Sequence, residues 1–313
     1  MYLVETTSNE AAESYSHLVN HYEPFTVDTK ELLHSLKELT NDQHESLLKM
    51  HSMLQITPFY NQMAFGEVYK NKVWGNAGGG SGAGSGYEST RNIVAFLPQF
   101  FNDNAVTSFL DLGCGAFTWQ VEIFGNPENR HIQYTGADVV PGVISNLTAT
   151  FEAENAPKRL ENVKFVVADV SIPYGGKSGD QAVWEGYSPA GGASLPTGVD
   201  VVLLRDIVQH LVMRDIFNIF RNIREHIKPR FLLVTTYPAT QKNYDLDDVP
   251  GASSSLFGSY RTKKAGAPNL LLPPFNIEEG ELIGSLQDKP SAKGHNSGTE
   301  ILIVGQKLKI NTN

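Results

Sequence analysis

Three aspartates stand at or near the ends of apolar runs of strand length. Asp111 lies in the run VTSFLDL, Asp138 ends IQYTGAD, and Asp169 ends VKFVVAD. Acids at the carboxyl ends of parallel strands can accept hydrogen bonds from ribose hydroxyls or from amines. One such acid is often a helix cap. Three of them on consecutive strands predict a single crevice that binds a ligand.

The first of these aspartates is followed at once by Gly113-Cys114-Gly115. Glycine lets the backbone approach a ligand closely, and the helix expected after this turn offers unpaired N–H groups. Thr118 stands where a dinucleotide-binding fingerprint has its third glycine, and Asp111 would repel a pyrophosphate. The turn therefore favours a nucleoside that carries an ammonium or sulfonium group over a nicotinamide dinucleotide.

A second set of reactive side chains, Arg205, Asp206 and His210, ends the run VDVVLLR and starts the next helical pattern. Histidine titrates near neutrality and suits a general base. Asp206 and His210 are four residues apart, so on one helical turn they would share a face, with Asp206 orienting the imidazole or binding an acceptor hydroxyl. Arg205 would steer an acceptor or pair with a buried acid. The structural alternatives are a helix cap for Asp206 and a packed surface position for His210.

Strands alternating with helices must position these residues. The predicted strands are 106–112, 132–138, 163–169, 199–205 and 230–236, and the predicted helices are 88–101, 118–124, 141–154 and 211–227. This alternation indicates a parallel sheet that is covered on both faces. Two last runs, 281–286 and 299–306, predict a terminal antiparallel pair. The expected fold is therefore α/β and Rossmann-like, a mostly parallel seven-stranded sheet with a C-terminal antiparallel hairpin.

The remaining segments define the expected domain organisation. Residues 29–54 predict N-terminal helices, so we divide the chain into a helical extension, 1–69, and a catalytic domain, 70–313. The extension would act as a lid or form a homodimer. Residues 75–86 have the composition of a flexible linker. Two irregular stretches follow the third and fifth strands, where functional loops of such sheets lie, at 173–198 and 238–274.

The motif DLGCG, the acid of GADVV, the acid of VVADV and the strand VDVVLLRD resemble, in order and spacing, the class I S-adenosylmethionine-dependent methyltransferases. The resemblance covers about residues 70–308 and implies an enzyme that uses S-adenosylmethionine. It implies these cofactor contacts: Asp111, Gly113 and Gly115 at the methionine end, Asp138 at the ribose, Asp169 and Val170 at the adenine, with Cys114 and Val139 beside them.

A narrower resemblance concerns bacterial and algal-virus methyltransferases, some of them associated with glycan synthesis. It is carried by Trp74-Gly75 before a Gly/Ser run, Trp119, Arg205-Asp206 with His210, Asn269-Leu270 and Pro273-Pro274-Phe275-Asn276. It implies a sugar hydroxyl as acceptor, with His210, Asp206 and Arg205 as catalytic residues. It also favours a lid over a linker for 75–86, in which backbone N–H groups, Ser81 and Ser85 close over the methionine carboxylate. Trp74, just before this segment, would be a further cofactor contact.

Composition narrows the classes of partner and location. The net charge of -9 and the pI of about 5.5 argue against a broad nucleic-acid footprint. The single cysteine excludes an intrachain disulfide. The first residues show no secretory pattern and no apolar run approaches the ~20 residues of a membrane span, so we expect a cytoplasmic protein. The histidines and the cysteine form no zinc motif, and no metal is expected.

Together these features predict a methyltransferase that acts on a hydroxyl of a small acceptor, such as a sugar or glycan, with His210 as base. Two alternatives stay open. One is an N- or carboxyl-methyltransferase of a small metabolite, which needs no strong base when the acceptor nitrogen is neutral. The other is a catalytically silent S-adenosylmethionine-binding module that works through its N-terminal helices.

Overall fold

A computed structural model describes residues 57–171, 195–244, 267–289 and 298–305. The predicted helices at 29–54 and most of the 173–198 stretch lie outside the described residues. Every described residue belongs to a compact unit that begins at Thr57. The division of the chain at residues 69 and 70 stays a prediction.

From Tyr87 to Thr236 the helices and strands follow the predicted order, with bounds that differ from the predicted ones by a few residues, whereas the helix Thr57–Lys70 was not predicted. The helices are α1 Thr57–Lys70, α2 Tyr87–Asp103, α3 Gln120–Phe124, α4 Pro141–Leu147 and α5 Met213–Asn222. The strands are β1 Ser108–Leu112, β2 Gln133–Asp138, β3 Val163–Val167, β4 Val201–Leu204, β5 Phe231–Thr236, β6 Leu282–Gln287 and β7 Glu300–Gly305. Single wide turns extend α4 to Glu152 and α5 to Ile227. None of the described helices is both long and apolar enough to cross a membrane.

The seven strands form one sheet in the order β3-β2-β1-β4-β5-β7-β6. The first five are parallel, and β7 runs antiparallel between β5 and β6. The predicted fold, a Rossmann-like and mostly parallel seven-stranded sheet with a C-terminal antiparallel pair, is confirmed. The strand order reverses between β1 and β4, and ligands of open α/β sheets bind outside the carboxyl ends of the strands at such a point.

Both faces of the sheet are buried, which explains the unbroken apolar runs in its strands. Phe109 of β1 belongs to the core that includes α2, α3 and α4, whereas Leu110 and Leu112 belong to the core that includes α5. All four side chains of β4 are buried. The polar side chains at the carboxyl ends of the strands are therefore the ones left to meet a ligand.

Candidate functional site

One crevice at the carboxyl ends of β1 to β4 brings the predicted site residues together. Its lining includes every one of them: Trp74, Ser81, Ser85, Asp111, Gly113, Cys114, Gly115, Asp138, Val139, Asp169, Val170, Arg205, Asp206 and His210. The lining also includes residues that the sequence analysis did not select, among them Asn61, Phe65, Tyr69, Trp119, Gln120, Ser171 and Ile207.

The turn after β1 depends on both of its glycines. Gly113 has φ +78 and Gly115 has φ +57, angles that other residues rarely adopt. A Cβ at Gly113 would lie 2.1 Å from Ile207 Cδ1, and one at Gly115 would lie 2.5 Å from Ser81 Oγ. Glycine therefore permits two other segments of the chain to approach this turn closely.

Asp111, Asp138 and Asp169, which we call the strand-end acids, surround the turn. Asp111 lies in β1, and its Oδ2 accepts hydrogen bonds from Gln120 Nε2 and Tyr134 Oη, both at 2.9 Å. Burial raises the pKa of Asp111 to about 6, although these two hydrogen bonds oppose the shift. The carboxyl is held firmly at the base of the crevice.

Asp138 ends β2 and fixes the turn after β1. Gly115 N donates to its Oδ2 at 3.1 Å, and Val140 N donates to its Oδ1 at 2.9 Å. Burial raises the pKa of Asp138 to about 6. Each carboxylate oxygen can accept more than one hydrogen bond, so this side chain can still receive a pair of hydroxyl donors.

Asp169 lies two residues beyond β3. Its Oδ1 accepts from the main-chain N of Ser171 at 2.9 Å and from the hydroxyl of Ser171 at 2.6 Å. Its Oδ2 is buried and has no hydrogen-bond partner in the described part of the chain. Burial raises the pKa of Asp169 to about 6. A buried acceptor without a partner is unfavourable, and a donor from a bound ligand would satisfy it.

The glycine-rich segment 75–86 folds over the turn after β1. It contains two short 3-10 turns, Ala77–Gly80 and Ala83–Ser85. Ser81 Oγ accepts from Ala116 N at 3.0 Å and lies 3.0 Å from Tyr69 Oη of α1. These contacts fit a cover over the crevice and do not fit a simple linker.

Arg205 and Asp206, which also line the crevice, belong to a set of charged side chains. We call these the charge cluster: Arg205, Asp206, Asp288 and Lys289. Arg205 Nε donates to Asp288 Oδ1 at 2.8 Å, and its two other nitrogens donate to the carbonyl oxygens of Gly84 and Ser89, each at 2.9 Å. Of the two roles expected for Arg205, these contacts favour the pairing with a buried acid.

Asp206 does not share a helical face with His210, and that prediction is wrong. Asp206 has φ +57, a 3-10 turn covers Val208–His210, and α5 begins only at Met213. The main-chain N of Asp206 donates to Thr235 Oγ1 at 3.1 Å, a contact to the neighbouring strand that diverts the chain from a helix.

The carboxylate of Asp206 is held by cations. Lys289 Nζ donates to its Oδ2, and Arg205 lies 3.7 Å from the same oxygen. Burial alone would raise the pKa of Asp206, but the charges of Arg205 and Lys289 outweigh it and lower this pKa below its ordinary value. Asp206 is therefore ionised at neutral pH.

His210 lies beside an aromatic wall. Its ring centroid is 4.9 Å from that of Trp74, with 36° between the planes. Trp74 in turn contacts Phe65 and Tyr69 of α1, with centroid distances of 6.0 and 6.1 Å. The charge of His210 also acts on Asp206. The imidazole is thus placed between an aromatic surface and an ionised carboxylate.

Acids outnumber cations around the crevice. The described lining contains four aspartates against Arg205 and His210, and Arg205 is already paired. Such a lining disfavours a pyrophosphate and suits a cationic ligand. Over the described ranges, no three His, Cys, Asp or Glu side chains are grouped so that they could hold a metal ion.

One face of α1 contributes the residues that the sequence analysis missed. Asn61, Phe65 and Tyr69 are spaced four residues apart and all line the crevice. That spacing is visible in the sequence. It predicts a shared face, but it does not say which neighbour the face meets.

Comparisons with known proteins find only distant similarity to solved structures. No family model and no curated protein matches this chain. The methyltransferase domain of bacterial CtHen1-C is 12% identical, with a TM-score of 0.44, over 69% of this chain and 97% of that chain. Small RNA methyltransferase HEN1 is 14% identical, with a TM-score of 0.40, over 70% of this chain and 25% of that one. N,N-8-amino-8-demethyl-D-riboflavin dimethyltransferase from Streptomyces davawensis is 14% identical, with a TM-score of 0.37, over 67% and 55%. A function must therefore be argued from the crevice itself.

Proposed function

We propose that this protein is an S-adenosylmethionine-dependent methyltransferase whose acceptor is a hydroxyl of a small molecule, with a sugar as the favoured class. One observation carries the cofactor assignment. Asp111, Asp138 and Asp169 lie on or just beyond three adjacent strands around one crevice, and Asp169 Oδ2 is buried there without a partner among the described residues.

The residues of the crevice fit this cofactor. Asp169 Oδ2 would accept a hydrogen bond from the adenine amino group, and Asp138 would accept hydrogen bonds from the ribose hydroxyls. Asp111 and the glycine turn would border the methionine end. When bound, S-adenosylmethionine supplies a methyl carbon already activated by a sulfonium, so the chain has mainly to align the acceptor with it.

The acceptor part of the proposal depends on His210. Its imidazole would take the proton of the acceptor hydroxyl while that oxygen forms its bond to the methyl carbon and the carbon–sulfur bond breaks. Asp206, ionised and close enough to interact with His210, would stabilise the imidazolium that results. The ring of Trp74 offers an apolar surface for a sugar ring, and its Nε1 is buried without a partner in the described chain. The acidic net charge supports a small acceptor or glycan over a nucleic acid.

Calorimetric titration with S-adenosylhomocysteine tests the cofactor assignment. We expect saturable binding of this product and none of NADH. Asp138→Asn should weaken binding at least tenfold because the ribose hydroxyls lose a charged acceptor. A hydrogen bond to a charged group contributes about 1.5–3 kcal/mol. The matched control is Asp103→Asn, at the exposed end of α2. Binding of NADH without S-adenosylhomocysteine would overturn the proposal.

Turnover with radiolabelled S-adenosylmethionine and a panel of sugars, amines and carboxylic acids tests the acceptor. For a hydroxyl acceptor, His210→Ala should lower kcat by roughly 10²–10⁴-fold, while the exposed His131→Ala stays at the wild-type rate. Near-normal kcat in His210→Ala would contradict the base assignment and favour a nitrogen acceptor. Cofactor binding with no turnover on any acceptor would favour a silent binding module.

A further inference from the structure

A chain of buried polar contacts links α1 to the strand-end acid Asp169. Asn61 of α1 is 2% exposed, and its Nδ2 donates to Ser171 Oγ at 2.8 Å and to Asp215 Oδ2 at 3.3 Å. Ser171 Oγ donates to Asp169 Oδ1 at 2.6 Å, and the amide of Asn61 also acts directly on Asp169 and lowers its pKa. The contacts join residues 110 and 154 positions apart in the chain, so the tertiary fold alone brings them together.

The direction of these hydrogen bonds is determined by chemistry. The amide nitrogen of Asn61 must face Asp215, because a carboxylate oxygen accepts and the amide nitrogen only donates. The same nitrogen therefore donates to Ser171 Oγ and occupies it as an acceptor. A serine hydroxyl has a single hydrogen, and that hydrogen is left for Asp169 Oδ1.

The two oxygens of Asp169 are made different by this arrangement. Oδ1 receives two donors from Ser171, its main-chain N and its hydroxyl. Oδ2 stays buried without a partner among the described residues and belongs to a side chain that lines the crevice. The carboxyl is thereby held with one oxygen satisfied and the other available to a ligand.

We propose that Asn61 is a positioning residue for adenine recognition, acting through the Ser171 hydroxyl to present Asp169 Oδ2 as an acceptor for a 6-amino purine. This inference rests on the proposed function. It predicts that Asn61 governs the choice between a 6-amino and a 6-oxo purine, because the oxygen of a 6-oxo purine would face a second acceptor. A residue that only stabilises α1 would not affect that choice.

The test compares S-adenosylhomocysteine with S-inosylhomocysteine, which carries oxygen in place of the 6-amino group. Dissociation constants are measured by calorimetry at pH 8 on the full chain, where Asp169 is ionised. We expect the wild type to prefer the amino ligand at least about tenfold, the effect of one hydrogen bond to a charged group. Asn61→Ala should reduce this preference about tenfold. The matched control is Asn71→Ala, which removes an exposed amide that bonds only locally, to Glu67 Oε2 at 2.7 Å.

Ser171→Ala removes the same contact from its other side and provides the test if Asn61→Ala does not fold. It should also reduce the preference, and the double variant should lose less than the sum of the two single variants, because both changes act on the same carboxyl. An unchanged preference in both variants, with both ligands weakened equally, would overturn the inference and leave the proposed function standing. If the wild type binds neither ligand, both proposals fail.

Discussion

The strand-end acids and Asp206 of the charge cluster line the same crevice, but their carboxyl groups are held by different means. Neutral donors face the strand-end acids: main-chain N–H groups, an amide and hydroxyls. Cations face Asp206. Neutral donors do not offset the effect of burial, so the pKa of each strand-end acid rises to about 6. Two cations more than offset it, and the pKa of Asp206 falls. The strand-end acids therefore change charge near pH 6, while Asp206 stays ionised.

Breaking the charge cluster should have the largest effect on stability. Arg205→Ala leaves Asp288, which is fully buried, without its cation. We expect the free energy of unfolding to fall by about 3–5 kcal/mol, measured by urea denaturation at pH 7. The control is Arg91→Ala, whose exposed pair with Glu88 should contribute nothing measurable. Equal stabilities of the two variants would contradict the buried role of Arg205.

The pH dependence of the unfolding free energy should have opposite signs for Asp138 and Asp206. The pKa of Asp138 is about 6 in the folded protein, above its ordinary value of 3.8, so the folded state binds more protons between these values. The contribution of Asp138 to stability therefore falls as the pH rises from about 4 to about 6. Relative to Asp138→Asn, the wild type should lose up to about 3 kcal/mol across this window, measured by urea denaturation at several pH values.

Asp206 should show the opposite sign because its pKa is lowered in the folded protein. Its contribution is present above its unfolded pKa and is lost as the pH falls towards its folded pKa. Relative to Asp206→Asn, the wild type should lose stability on acidification below about pH 4. If Asp138→Asn and Asp206→Asn change the pH dependence of the unfolding free energy in the same direction, the contrast between the strand-end acids and Asp206 is wrong.

The glycine turn after β1 should not tolerate a side chain at Gly113. Gly113→Ala places a Cβ at φ +78 and against Ile207, the residue that follows Asp206. We expect a loss of about 1–3 kcal/mol in unfolding free energy and weaker binding of S-adenosylhomocysteine. Gly142→Ala is the control, since a Cβ there meets nothing within 4 Å. It should be neutral or slightly stabilising, as alanine is in a helix. A Gly113→Ala variant that matches it in both measurements would refute the close approach.

The smallest effect should come from the cover over the crevice. Ser81→Ala removes the acceptor of Ala116 N and the contact to Tyr69 Oη. We expect a loss of about 1 kcal/mol in thermal or urea unfolding. Ser85→Ala should lose less, because the contact of Ser85 to Thr118 is made by its carbonyl oxygen and survives the change. The reverse ranking would show that Ser81 does not anchor the glycine-rich segment.

The strand-end acids could be predicted from the sequence because their signal is local. Each aspartate stands within or just beyond an apolar run, and the parallel sheet that such runs form brings the strand ends together. Asp111, Asp138 and Asp169 accordingly line one crevice. The same reasoning predicted the order of helices and strands from α2 to β7, because an apolar run or a helical stripe is visible within a short stretch of sequence.

The charge cluster could not be predicted in the same way. Lys289 and Asp288 reach Asp206 and Arg205 across 83 positions of the chain, and no local pattern specifies which side chains meet over that separation. The left-handed conformation of Asp206 was missed for the same reason, because its main-chain N bonds to Thr235 of the neighbouring strand. Asn61 was missed because its helix, α1, was not predicted, and helical spacing would in any case define a face but not the neighbour of that face.

The position of β7 between β5 and β6 has a consequence for the order in which the chain folds. Domains begin to fold during synthesis from the N-terminus, and β5 is made well before β7. The edge of β5 that pairs with β7 therefore stays unpaired until β7, which begins at Glu300, has been made. β6 is synthesised before β7 but has no place in the sheet until β7 arrives. Asp288 and Lys289 directly follow β6, so the partners of Arg205 and Asp206 are fixed only when the last strand has docked. The nascent protein can form its first five strands early, but the contacts that hold Arg205 and Asp206 beside the crevice are completed only after β7 has been made.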